Sequence, residues 1–77
     1  MNVTERKQLG KINEKLSDYL AEVQEISDEI EERASNMEEY FPGSEKAEKL
    51  QEQADALATA IEGIEDTIEN IDESMEA

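Results

Sequence analysis

Apolar residues recur along this chain at alternating steps of three and four, in two long runs. The first is Leu9, Ile12, Leu16, Tyr19, Val23, Ile26, Ile30, Met37 and Tyr40. Written as heptads, Leu9, Leu16, Val23, Ile30 and Met37 occupy position a, and Ile12, Tyr19, Ile26, Arg33 and Tyr40 occupy position d. Leu20, Ala34 and Phe41 at position e widen the stripe. The second run is Ala47, Leu50, Ala54, Leu57, Ile61, Ile64, Ile68, Ile71 and Met75, with no polar residue in it. Steps of three and four gather these side chains on one side of an α-helix, so each run predicts a helix that buries one seam against another helix. Arg33 is the polar exception; its stem is expected to pack while its head reaches Glu29 or a carboxylate of the second helix.

Between the runs stands Phe41-Pro42-Gly43-Ser44. Proline has no N–H to continue a helix and restricts the residue before it, glycine admits the positive φ of a reversal, and serine is a strong N-cap. Asn2 followed by Glu5, with Thr4 as the alternative, offers a cap for the first helix. The expected organisation is one domain over residues 1–77: helix from about 4 to 40, turn over 41–44, helix from about 45 to 75. The lengths are roughly 50 and 45 Å at the α-helical rise. Matched lengths and a short connection predict an all-α fold, an antiparallel, coiled-coil-like two-helix hairpin. Folding about the turn sets Leu9 near Met75, Leu16 near Ile68, Val23 near Ile61 and Ile30 near Ala54. Large side chains of the first helix then meet small Ala47 and Ala54 near the turn. Gly10 and Gly63 lie off this seam, as tolerated surface residues or as points where another chain comes close.

A lone hairpin leaves the flanks of both stripes in water, and those flanks are short of charge. Position e of the first helix reads Asn13, Leu20, Ser27, Ala34, Phe41, and position g of the second reads Lys46, Gln53, Ala60, Thr67, Ser74, so only Lys46 is charged. Such flanks suit a second contact surface, and they predict a homodimer of hairpins forming a four-helix bundle. Leu20, Ala34, Tyr40, Phe41 and Ala60 are the expected contacts to that copy or to another partner. Tyr40 and Phe41, at the turn end, are the best placed as a binding hot spot.

Acidic side chains outnumber basic ones threefold. The 77 residues carry 22 acidic and 7 basic side chains, a net charge of −15, with 36% apolar and 4% aromatic residues. That balance disfavours direct contact with nucleic acid or anionic membranes and favours basic partners. Arg6, Lys7, Lys11 and Lys15 crowd the start of the first helix, where antiparallel pairing brings the acidic end of the second. Glu48, Glu52, Asp55, Glu62, Asp66, Glu69, Glu73 and Glu76 line positions b and f of the second helix, opposite its seam. Asp18, Glu22, Glu25, Glu29 and Glu32 make a similar row on the first. Neighbours at these steps repel by about 0.2–0.5 kcal/mol per pair, so salt or mild acid is expected to stabilise the fold. The rows have three readings: a solvated face, a rod of carboxylates imitating the phosphates of a duplex in a basic cleft, or a weak divalent-cation surface.

Chemistry is sparse. The chain has no Cys and no His, which removes thiolate chemistry, the usual general base and the usual metal ligand. It has no phosphate-binding glycine loop and no hydrolase or metalloprotease motif. Its serines have no imidazole to activate them, and solvated carboxylates do not split their pKa values as acid–base pairs require. No enzyme activity, cofactor or metal is expected. No stretch suits a signal peptide or a membrane span, which is compatible with the cytoplasm.

The run Asn36-Met37-Glu38-Glu39-Tyr40-Phe41-Pro42-Gly43-Ser44-Glu45-Lys46-Ala47, followed by Ala54-Asp55-Ala56-Leu57-Ala58-Thr59-Ala60-Ile61 and the isoleucine-rich acidic end, resembles small acidic helical proteins of phages and mobile elements of Gram-positive bacteria. The resemblance implies a bacterial cytosolic setting and a host-directed role, such as blocking a defence nuclease. It carries over no site residues. The sequence thus predicts a non-enzymatic helical module for protein–protein interaction. The alternatives are a DNA-mimic inhibitor of a nucleic-acid-binding protein and a structural, scaffolding oligomer.

Overall fold

The computed structural model describes residues 1–77 as two helices, α1 (Val3–Tyr40) and α2 (Glu45–Glu76), packed against each other as a hairpin. The ends lie within a residue of those expected, and the reasons are local. Asn2 caps α1: its side chain accepts from the Glu5 N–H at 2.8 Å, and the Glu5 carboxylate accepts from the Asn2 N–H at 2.9 Å. This reciprocal box satisfies two donors that the first turn leaves open. Ser44 caps α2, its hydroxyl accepting from the Ala47 N–H at 3.1 Å. Between them Gly43 takes φ 72°, a left-handed conformation that side chains with a Cβ rarely adopt. The Glu38 carboxylate accepts from its N–H at 3.2 Å.

The molecule is a rod, 56 × 16 × 13 Å. Its register is the expected one: Asn13, on the turn before Leu16, hydrogen-bonds the Ile68 carbonyl and the Asp72 carboxylate. At the open end the Arg6 guanidinium donates to the Met75 carbonyl.

The seam differs from expectation in one respect, and the difference decides where a partner can sit. In α2 the stripe behaves as predicted, with Ala47 and Ala54 buried and the seven larger residues half-buried. In α1 the seam runs along positions a and e, not a and d. Asn13, Ser27 and Ala34 are buried, and Leu20 is half-buried with Leu9, Leu16, Val23, Ile30 and Met37. The d residues Ile12, Tyr19, Ile26, Arg33 and Tyr40 are all exposed. The physical reason is size. Backbones approach closely only where the facing side chains are small, and Ser27, Ala34, Ala47 and Ala54 provide that approach. Tyr19 and Tyr40 at the same place would hold the helices apart. Leu20 and Ala34, expected to contact a second chain, therefore belong to the hairpin's own seam. Gly10 and Gly63 face open space, with nothing within 4 Å of a Cβ built on either.

The core is thin. Five of 77 residues are buried and no large side chain is fully enclosed. The accessible surface is 5840 Å², against about 4,700 Å² for a compact protein of this mass. The excess belongs to the rod shape and to the apolar side chains left in water.

Candidate interaction faces

Two faces of the hairpin carry chemistry that could recognise a partner. The first is apolar. Rotation about the helix axis reverses sense when the chain reverses direction, so positions displaced the same way from the seam on antiparallel helices reach the same side of the molecule. The d residues of α1 and the d residues of α2 (Leu50, Leu57, Ile64, Ile71) therefore share one face. Along α1 they form an exposed ridge: Ile12 is 45% exposed, Tyr19 58%, Ile26 52% and Tyr40 72%, with Phe41 at 63% beside the turn. The half-buried a residues floor the space between this ridge and α2. Ala60, expected as a partner contact, is exposed at position g, on the shoulder of this same face.

Near the turn the face deepens into an open cleft of about 440 Å³ lined by Arg33, Asn36, Met37, Tyr40, Phe41, Lys46 and Leu50. Arg33 stands exposed at its edge. Of the arginines only Arg6 donates a side-chain hydrogen bond, so the expected pairing of Arg33 with Glu29 or with a carboxylate of α2 is not made. Its guanidinium is free to meet another molecule.

The opposite side of the seam is polar and short. Gly10, Ser17 and Gln24 of α1 lie there with Ala58, Glu65 and Asp72 of α2. Asn13 faces this side: its amide donates to Asp72 Oδ1 at 2.8 Å and to the Ile68 carbonyl at 3.1 Å. Its own Oδ1 is buried without a partner. Sequence reasoning counted Asn13 only as an uncharged flank. A polar residue recurring on the seam with Ser27 was the available signal.

The second face is the acidic row of α2. Glu48, Glu52, Asp55, Glu62, Asp66, Glu69 and Glu73 are all exposed, and they lie away from the apolar face. Asp55 accepts from the Gln51 amide at 3.0 Å, an ordinary pair within the helix. No three carboxylates converge closely enough to enclose a cation. No helix is long and apolar enough to cross a membrane. A search of family models, curated proteins and solved structures returns no match to the chain.

Proposed function

We propose that this protein is a non-enzymatic interaction module that works through the apolar face of its hairpin and is covered there by a second copy of itself, as a four-helix bundle. The observation that carries the reading is the d ridge of α1, four large apolar side chains about half exposed or more on one line. Monomers seldom leave so many large apolar side chains aligned in water, and a bundle of four helices buries them. This relocates the contact from Leu20 and Ala34, which the hairpin uses itself, to Ile12, Tyr19, Ile26 and Tyr40. Phe41 and Ala60 stay at the margin of the same face.

The second reading, a rod of carboxylates that occupies the basic cleft of a nucleic-acid-binding protein, is favoured by the unbroken exposure of the acidic row on α2. It fits the host-directed role that the resemblance to phage-encoded acidic proteins implies. The two readings use opposite faces, so mutation separates them. Glu62→Lys, Asp66→Lys and Glu69→Lys together should leave self-association intact, whereas Ile26→Glu should abolish it. Both are read by size-exclusion chromatography with light scattering, with circular dichroism to confirm helix. If Ile26→Glu associates like the parent chain, the apolar face is not the contact and the first reading fails.

A further inference from the structure

Resting on that reading, we infer the arrangement of the second copy: the two α1 ridges pack antiparallel about a two-fold axis at Ile26, which seats Tyr19 of each chain on Arg33 of the other. The five ridge positions, 12, 19, 26, 33 and 40, are evenly spaced by one heptad. A two-fold contact requires that if one residue meets another, the second also meets the first. Reversal about Ile26 pairs all five ridge positions with ridge positions: Ile26 with itself, Tyr19 with Arg33, and Ile12 with Tyr40. Any shift by a heptad leaves ridge residues against solvent. The pairing also accounts for the one charged residue of the ridge. Arg33, free of any carboxylate within its own chain, lies across the face of a tyrosine ring, a contact that arginine makes readily. The cleft between Arg33, Met37 and Tyr40 receives Ile12 of the other chain.

Charge selects the same direction. Residues 11–24 hold two basic and three acidic side chains, and residues 28–41, which lie opposite them in this arrangement, hold six acidic and one basic. Lys11 and Lys15 border the ridge at positions c and g, on its outer side. Antiparallel packing brings them to Glu39 and its neighbours in the copy, whereas parallel packing sets lysines on lysines and the acidic halves on each other. Area agrees as well. Aromatic side chains bury about 150–250 Å² each. The open parts of Ile12, Tyr19, Ile26, Tyr40 and Phe41 then total on the order of 600–700 Å², close to the roughly 800 Å² per partner of a standard stable interface. Against these stand Glu22, Glu25 and Glu29 at the middle of the contact, where like charges meet. Association is therefore expected to strengthen with salt.

Single cysteines test this directly, because the chain has none of its own. Under mild oxidation Ile26→Cys should cross-link to itself. Ile12→Cys chains and Tyr40→Cys chains should each stay uncross-linked alone and join when mixed, since the two copies of position 12 lie roughly 40 Å apart in this arrangement. All three positions are exposed, so folding is preserved, and circular dichroism checks it. Arg33→Ala and Tyr19→Ala should each weaken self-association about tenfold, with little further loss when combined. Self-linking of Ile12→Cys would mean parallel chains and overturn the arrangement. Failure of the mixture to link, with light scattering still reporting dimers, would overturn the arrangement and leave the dimer standing. A chain that light scattering finds monomeric would remove the dimer itself.

Discussion

Asn13→Asp is the sharpest single perturbation of the hairpin, because it keeps the shape of the side chain and reverses one interaction. In the parent, the Asn13 amide donates to Asp72 Oδ1 at 2.8 Å, in a seam where Asn13 itself is buried. The substitution removes a hydrogen bond to a charged group, worth about 1.5–3 kcal/mol. It then sets a second carboxylate at the same distance. Asp72 is exposed, so water screens the repulsion, which adds on the order of 1 kcal/mol at a dielectric close to that of bulk water. The expected loss is about 2–4 kcal/mol at pH 7, or roughly 10–25 °C in Tm for a domain of this size. The sign of the pH dependence follows from the pair. In the folded variant two adjacent carboxyls share a proton to higher pH than in the unfolded chain. The folded state then binds more protons, so stability falls as pH rises through the carboxylate range and returns on acidification. Asn13→Leu provides the control. It fills the same place, removes the orphaned Oδ1, and should melt within about 1 kcal/mol of the parent, since an unsatisfied buried acceptor costs about as much as the lost bond contributes. Thermal melts by circular dichroism at pH 7 and pH 4 read all three chains. If Asn13→Asp melts within 3 °C of the parent at pH 7 (less than about 1 kcal/mol), Asn13 does not bridge the helices as described.

Other consequences are simpler. Thermal stability should rise when sodium chloride is added, because the net charge of −15 and the exposed acidic rows repel; a melting temperature that falls with salt would contradict this. Gly10→Ala and Gly63→Ala should each stabilise by about 0.5–1 kcal/mol, since both are helical and an added Cβ meets nothing within 4 Å. Gly43→Ala should instead destabilise by about 1 kcal/mol or more in the same melts, because the turn needs φ 72° there. Ala54→Leu places a large side chain at the most enclosed point of the seam, 1% exposed. It should cost about 1–3 kcal/mol in urea unfolding.

The helices, the turn and both caps were legible in the sequence because each rests on a local rule. Asn2 with Glu5, Pro42 before Gly43, and Ser44 before Glu45 act within four residues of themselves. The apolar stripe of α2 was legible for the same reason, since nothing in it competes for the seam. The stripe of α1 was not, because two flanks border position a and both are short of charge. Hydrophobicity favours the d flank, with Ile12, Tyr19 and Ile26. Close approach of two backbones favours the e flank, with Ser27 and Ala34, and packing decided for size over hydropathy. The small residues were visible, but only the facing alanines of α2 gave them meaning, and that is a property of the pair of helices. The acidic rows were legible as rows and as exposed.

Small-angle X-ray scattering on the purified protein at increasing concentration reads mass and length together, and so tests whether a second chain lying alongside closes the open apolar ridge of α1. In that pairing the particle has twice the 8.7 kDa chain mass and a long axis of about 70 Å, the 56 Å rod extended by a nine-residue stagger at the α-helical rise. A folded particle that keeps the mass of one chain at micromolar concentrations and above, or a doubled mass with a doubled length, would contradict it.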